Sequence, residues 1–319
     1  MHKEHEGQDG QNWQDGQGAN DGHEGHEGQD GQGVNDEHVR YEEHGGQGAN
    51  DGHVRSEENF GHAETACSET LPPTFPPTPH GRVWQIDALR GTAMILMTVF
   101  HALVDVRDFF GFADVRYYEP PLMYIGRSSA ILFMFVSGIS CRFSKSNIKR
   151  GARVILCGMI ITAATLVAVR DLYIRFGILH FLGAAMIIIG LFERLVTKER
   201  LRQLAMWIAS PASLIIGRIF SQMRTTLPFL FAFGLITTDF VSYDYYPIFP
   251  WIGIVFAGYA AGRFVVANRA KLSTMRGNRA TSALCALGRV SLIYYILHQP
   301  ALFALFFAID FFRRIALNL

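Results

Sequence analysis

From residue 84 onward the chain repeatedly runs apolar for long enough to cross a bilayer, which confines it to structures that satisfy every backbone group internally. The stretches fall near 84–104, 121–143, 152–170, 174–192, 203–221, 247–267 and 287–312. They are far longer than a membrane β-strand needs, so the expected fold is all-α: a polytopic bundle of about seven transmembrane helices. A further stretch, "TLPFLFAFGLIT" at 226–237, is short for a crossing and contains Pro228 and Gly234.

Charge decides how that stretch is counted. Basic residues crowd the connections 142–153, 193–202 and 263–289, among them Arg142, Lys149, Arg194, Arg202, Arg269 and Arg279. The alternate connections carry far fewer. Cytoplasmic connections of membrane proteins are enriched in Lys and Arg, so the three basic ones share the cytoplasmic side. Seven spans with a cytoplasmic N-terminus satisfy this. An eighth would put the most basic connection outside, so 226–237 is read as re-entrant or interfacial.

The first 80 residues are a different kind of polymer. They hold 17 acidic residues against three basic ones, and nine of the 12 histidines. A 15-residue period returns as "GQGANDGH" from Gly16, "GQGVNDEH" from Gly31 and "GQGANDGH" from Gly46. Such a segment cannot bury enough apolar surface to offset its ordering entropy, so a disordered tail is expected. "LPPTFPPTPHG" at 71–81 reads as a stiff, extended linker. The division is therefore 1–81, tail and linker, and 82–319, membrane domain. The four cysteines show neither a metal-ligand spacing nor a disulfide framework.

Ionisable groups inside an apolar span are costly and read as functional candidates. Arg90 and His101 lie in the first span, "WQIDALRGTAMILMTVFHALVDV", on one helical stripe about 16 Å apart. Asp105 follows His101 by one turn and is expected to orient its imidazole, while Asp87 precedes Arg90 and can hold its guanidinium. Arg127, His180 and Asp244 fall near the outer ends of their spans, and His298 falls near mid-membrane. A histidine beside a carboxylate suits a general base or an acyl-carrying nucleophile. Arg90, with Asp87 and Arg127, suits the phosphates of a cytosolic donor. Most of these residues also have plainer readings: His180 can hydrogen-bond a neighbouring helix, Arg127 can snorkel to the outer headgroups, and Asp87 with Arg90 can be a structural interfacial pair. Asp244 can cap the start of span six, and His298 can satisfy a carbonyl freed by Pro300. No Walker loop or dinucleotide-binding glycine pattern is present, and His101, His180 and Asp244 lack any local metal-ligand motif, so no metal is expected.

Four ordered motifs, "QIDALRGTAMILMTVFH", "RFGILHFLGAAMII", "DYYPIFPWIGIVFAGYAAGR" and "LGRVSLIYYILHQP", resemble the bacterial and archaeal proteins grouped with the catalytic domain of heparan-α-glucosaminide N-acetyltransferase. The likeness covers roughly 82–312. The Arg90–His101 spacing is also similar to the arginine–histidine motif of the wider membrane acyltransferase superfamily. The resemblance implies an integral membrane acyltransferase that uses acetyl-CoA as donor and acylates an amine or hydroxyl of a sugar or lipid-linked glycan across the membrane. It implies Arg90 and His101 as principal residues, with His180, Asp244 and His298 behind them. The expected setting is the plasma membrane of a microbe, with the lipid bilayer as partner, no nucleic acid, and a homo-oligomer left open. The alternative is a proton-coupled transporter built on the same His, Asp and Arg residues, its middle broken by Pro211 and Pro228.

Overall fold

The computed structural model of the protein describes residues 83–108, 116–168, 170–275 and 277–317; the tail and linker expected over 1–81 lie outside them. Seven helices are long and apolar enough to span a membrane: α1 (Trp84–Asp108), α2 (Leu122–Cys141), α3 (Asn147–Ala168), α4 (Ile178–Leu195), α5 (Glu199–Ser221), α6 (Ile248–Ala267) and α9 (Ser291–Leu317). Two short helices, α7 (Arg269–Thr274) and α8 (Arg279–Arg289), lie between α6 and α9. No strand forms among the described residues, only two isolated bridges in the connections.

Antiparallel pairs of sequence neighbours are joined by two parallel contacts, α2 with α6 and α1 with α9. α3 packs on α4, α5 on α6, α2 on α6, and α1 on α2, α8 and α9. Lipid tails are as apolar as leucine, so helix contact in a bilayer depends on close packing, which small residues permit. The α2–α6 seam shows this. A Cβ on Gly138 would overlap the Val255 carbonyl, and one on Gly258 would overlap the Phe135 carbonyl. Phe181, Ala185 and Ile189 of α4 face this seam with Met134 of α2 and Tyr259 of α6, all fully buried. α3 and α5 keep little inside and turn Leu156 and Ile208 outward, as lipid-facing helices do.

Three details depart from the expected layout. Residues 226–237 hold a short 3-10 helix, Pro228–Phe233, ended by Gly234 at φ 109°, a left-handed conformation that favours glycine. α5 runs unbroken through Pro211, so that proline does not divide the chain. The basic connection before the last span contains α8, whose start is closed by reciprocal hydrogen bonds between Asn278 and Thr281. α8 lies against α1 at backbone contact, because Gly91 meets the Leu284 carbonyl and Gly288 meets the Asp87 carbonyl.

The basic end of the bundle is held by a polar network. Arg142, just past α2, donates through Nε to the Tyr259 carbonyl (3.0 Å) and through Nη1 to Glu199 Oε1 (2.6 Å), and its Nη2 meets Gln203 Oε1. Its guanidinium lies 4.0 Å from the centre of the Tyr259 ring. The Tyr259 hydroxyl donates to Glu193 Oε1 (2.8 Å), and Asn147 Nδ2 donates to Glu193 Oε2 (2.9 Å). Five helix ends are joined through these side chains.

Candidate functional site

On α1, Thr98, His101 and Asp105 recur at helical spacing and so share one face. That face meets Tyr294, His298 and Gln299 of α9. The Tyr294 hydroxyl and Thr98 Oγ1 are 2.7 Å apart, and because Thr98 already donates to the Met94 carbonyl (2.9 Å), the tyrosine is the donor. The His101 and His298 rings stand edge to face with centroids 5.0 Å apart. Gln299 Nε2 donates to Asp105 Oδ1 at 2.7 Å.

Backbone carbonyls fix both imidazole tautomers. His101 Nδ1 lies 2.9 Å from the Met97 carbonyl, and His298 Nδ1 lies 2.6 Å from the Tyr295 carbonyl. A carbonyl can only accept, so each Nδ1 carries the proton and each neutral ring keeps its lone pair on Nε2. Asp105 therefore has a different partner from the one its spacing suggests. It sits one turn from His101, but it is bonded to Gln299, and His101 is oriented from its own helix. His298 is likewise not bonded to the Ile296 carbonyl that Pro300 leaves without its helical donor, but to the carbonyl before it.

His180 and Asp244 form a second locus. Asp244 Oδ2 accepts from the backbone N–H of Ile178 (3.2 Å), so it caps the start of α4 and not that of α6. Burial holds its carboxyl up at about 6, against the pull of that N–H. The connections on this side are tied together: Ser242 Oγ accepts from the Arg175 N–H (3.1 Å), and the Tyr246 N–H donates to the Phe176 carbonyl (3.0 Å). His180 stacks on Phe176, 5.7 Å between ring centres, with Nε2 3.4 Å from Thr162 Oγ1. A Cβ on Gly158 would sit 3.0 Å from the His180 ring, and one on Gly177 would overlap the Asp244 carboxyl. These two glycines make room for the two side chains. A small cleft, with space for no more than about one water, is lined by Gly158, Ile161, Ile174, His180, Asp244 and Tyr295.

Tyr295 links the loci. It lines the cleft with His180 and Asp244, and its ring lies 5.4 Å from that of His298. Tyr295 thus bridges the imidazole pair and the His180–Asp244 cleft. The cleft at His180 and Asp244 is not lined by His101, His298 or Asp105.

Of the three residues assigned to the donor, two meet and one stands apart. Arg90 Nη1 donates to Asp87 Oδ1 (3.1 Å) and to the Gly288 carbonyl (3.3 Å), and Nη2 donates to Ser140 Oγ (2.6 Å). Its guanidinium ties α1 to α2 and α8. Arg127 lies thirteen residues before Ser140 on α2, about 20 Å along the axis, beside Gly126, which packs on the Phe100 ring. Among the described residues no group of three His, Cys, Asp or Glu side chains could hold a metal ion.

The family model "Heparan-alpha-glucosaminide N-acetyltransferase, catalytic" matches residues 82–300. The chain belongs to that family. Its match takes in the membrane spans through Pro300 of α9 and so includes every residue of both loci. No curated protein and no solved structure matches the chain. Membership makes it a membrane protein of an acetyltransferase family. Sequence reasoning passed over Gln299, Tyr294, Tyr295, Gly158 and Gly177. Gln299 was the most findable of them, since an amide within an apolar span needs a partner just as a charge does.

Proposed function

We propose that this membrane protein transfers an acetyl group from acetyl-CoA, on the cytoplasmic side, to a hydroxyl or amine of a glycan presented on the opposite side. The observation that carries the reading is the imidazole pair of α1 and α9, with both Nδ1 atoms committed to carbonyls and both Nε2 atoms left basic. Positive-inside topology supports a cytoplasmic basic end, and hence a distal imidazole pair.

His101 acts as the general base. Its Nε2 takes the proton from the acceptor as the acceptor oxygen or nitrogen attacks the thioester carbonyl. The carbon–sulfur bond breaks, the acetyl group stays on the acceptor, and the CoA thiolate leaves and collects the proton from the imidazolium. His298 lies against His101 and supports that imidazolium through its own Nε2 lone pair. Arg90, through its ties to Asp87, Ser140 and Gly288, holds α1 and α8 together at the donor side. Asp244 and His180 shape the far wall of the route, with Tyr295 between them and the imidazole pair.

The test is transfer of labelled acetyl from acetyl-CoA to membrane glycans by the purified full chain in nanodiscs, comparing wild type with His101→Ala. Transfer should fall by about 10²–10⁴-fold, the usual contribution of a positioned base. Equal transfer by both proteins would remove His101 from the mechanism. An acetylated enzyme that survives when the acceptor is withheld would assign His101 as nucleophile instead.

A further inference from the structure

Seven buried side-chain nitrogen or oxygen atoms among the described residues have no hydrogen-bond partner, and three of them belong to one helix contact: Asp105 Oδ2, Gln299 Oε1 and His298 Nε2. Asp105 is 0 % exposed and His298 7 %. Within a span, where lipid supplies no hydrogen bonds, a buried polar atom left alone is costly, so three at one crossing of α1 and α9 need a physical reason. The geometry adds one. The Gln299 Nε2–Asp105 Oδ1 bond of 2.7 Å clamps the two side chains head to head, which leaves the other carboxyl oxygen of Asp105 and the amide oxygen of Gln299 on either flank of that bond. All three unpartnered atoms are acceptors: a carboxyl oxygen, an amide oxygen and, given the Nδ1–H bond to Tyr295, an imidazole lone pair. Among the described residues no Lys or Arg forms an ion pair with Asp105.

We infer that this contact, one helical turn beyond the imidazole pair, is a carbohydrate subsite in which Asp105 Oδ2 and Gln299 Oε1 accept hydrogen bonds from neighbouring hydroxyls of a pyranose ring. The inference rests on the glycan-acceptor reading above and names the residues that grip the acceptor. Two acceptors on either flank of one inter-helix hydrogen bond, with an imidazole lone pair beside them, call for a ligand with donors at separate positions. A ring bearing adjacent hydroxyls has them, and a lone ammonium does not. Gln299 then has two tasks: its amide nitrogen holds Asp105 in place and its amide oxygen meets the sugar. The grip lies beside His101, so a hydroxyl or amine on the same ring is delivered to the base.

The experiment uses the full chain in nanodiscs with D-glucose, its 2-deoxy and 3-deoxy analogues and D-glucosamine. Binding without donor is read by saturation-transfer NMR, and acceptor KM and kcat are read with acetyl-CoA. Asp105→Asn and Gln299→Leu should each raise the glucose Kd and the acceptor KM about tenfold, as loss of a hydrogen bond to a buried group does. The acetyl-CoA KM should stay at its wild-type value, and removal of one ring hydroxyl should cost wild type more than it costs the variants. Wild-type glucose binding and acceptor KM in both folded variants would overturn the subsite. Dependence on Asp105 for glucosamine alone would overturn it in favour of an ammonium site. Residue-dependent glucose binding without acetyl transfer would leave the subsite standing and remove the acyltransferase reading. Transfer with binding indifferent to both residues would do the reverse.

Discussion

The two ends of this bundle solve the problem of polar groups in lipid in opposite ways. At the basic end, Arg142, Glu199, Gln203, Glu193 and Tyr259 use one another's hydrogen-bonding capacity almost completely, and among the buried atoms of the described residues in that network only Asn147 Oδ1 has no partner. At the other end, the α1–α9 crossing gathers two imidazoles, a carboxyl and an amide and leaves three of their atoms unbonded. A satisfied network binds helices to one another and has nothing left to offer a ligand. An unsatisfied one has kept its capacity in reserve. Chemistry is therefore assigned to the second, and Arg90, which resembles the first in using its donors, is assigned to structure.

That contrast can be broken by substitutions at either end. The largest effect should come from His101→Ala, a loss of about 10²–10⁴-fold in acetyl transfer with thermal stability close to wild type. A loss of stability of the same order as at the basic end would make His101 a structural group.

Arg142→Ala should do the opposite. Its guanidinium is only 10 % exposed and joins α2 to α5 and α6, so removal leaves Gln203 Oε1 and the Tyr259 carbonyl without their donor, while Glu199 keeps Arg202. Denaturation in detergent should register a loss of about 1–3 kcal/mol, with the kcat of the surviving folded fraction unchanged.

The pH dependence of stability probes the second locus. The Asp244 carboxyl is held up at about 6 in the fold, so between its ordinary value and 6 the folded protein keeps a proton that the unfolded chain has released. Stability from this group is full at lower pH and is lost as pH rises toward 6, by at most about 3 kcal/mol and less for the solvent that reaches the residue. Melting curves from pH 4 to 7 should show the decline in wild type and its disappearance in Asp244→Asn. The same decline in the variant would place its origin elsewhere.

The smallest effect should come from Tyr294→Phe, which removes the donor to Thr98 and leaves the threonine bonded to Met94. It should cost about 0.6–1 kcal/mol in detergent melting, because hydrogen bonds between membrane helices are modest. A cost several times larger would mean that this bond sets the α1–α9 crossing and hence the spacing of the imidazoles.

Much of this architecture was legible before any fold. Hydropathy located the seven spans, and the alternation of basic connections kept 226–237 from being counted as another; its 3-10 helix is too short to cross. α8 was not legible in the same way. Its few apolar residues are interleaved with Arg279, Thr281 and Arg289, so it read as connection, and only its backbone contact with Gly91 shows it to be a packed element. The candidate residues were visible for a simple reason: an ionisable side chain stands out against apolar neighbours. Their partners were not. Helical period brings Asp105 within reach of His101, but it brings the Met97 carbonyl equally near on the other side, and spacing alone cannot choose between them.

What the sequence by itself determined is the one-dimensional part: which segments cross, which connections carry charge, and which costly groups each span contains. These follow from transfer energies that each segment has on its own. The tertiary structure decided which spans touch. That α9 crosses α1, so that His298 meets His101 and Gln299 meets Asp105, depends on where glycines let backbones approach and on which helix fills the remaining space. Apolar faces in lipid attract one another without much preference, so close packing makes that choice, and packing is a property of the assembled bundle.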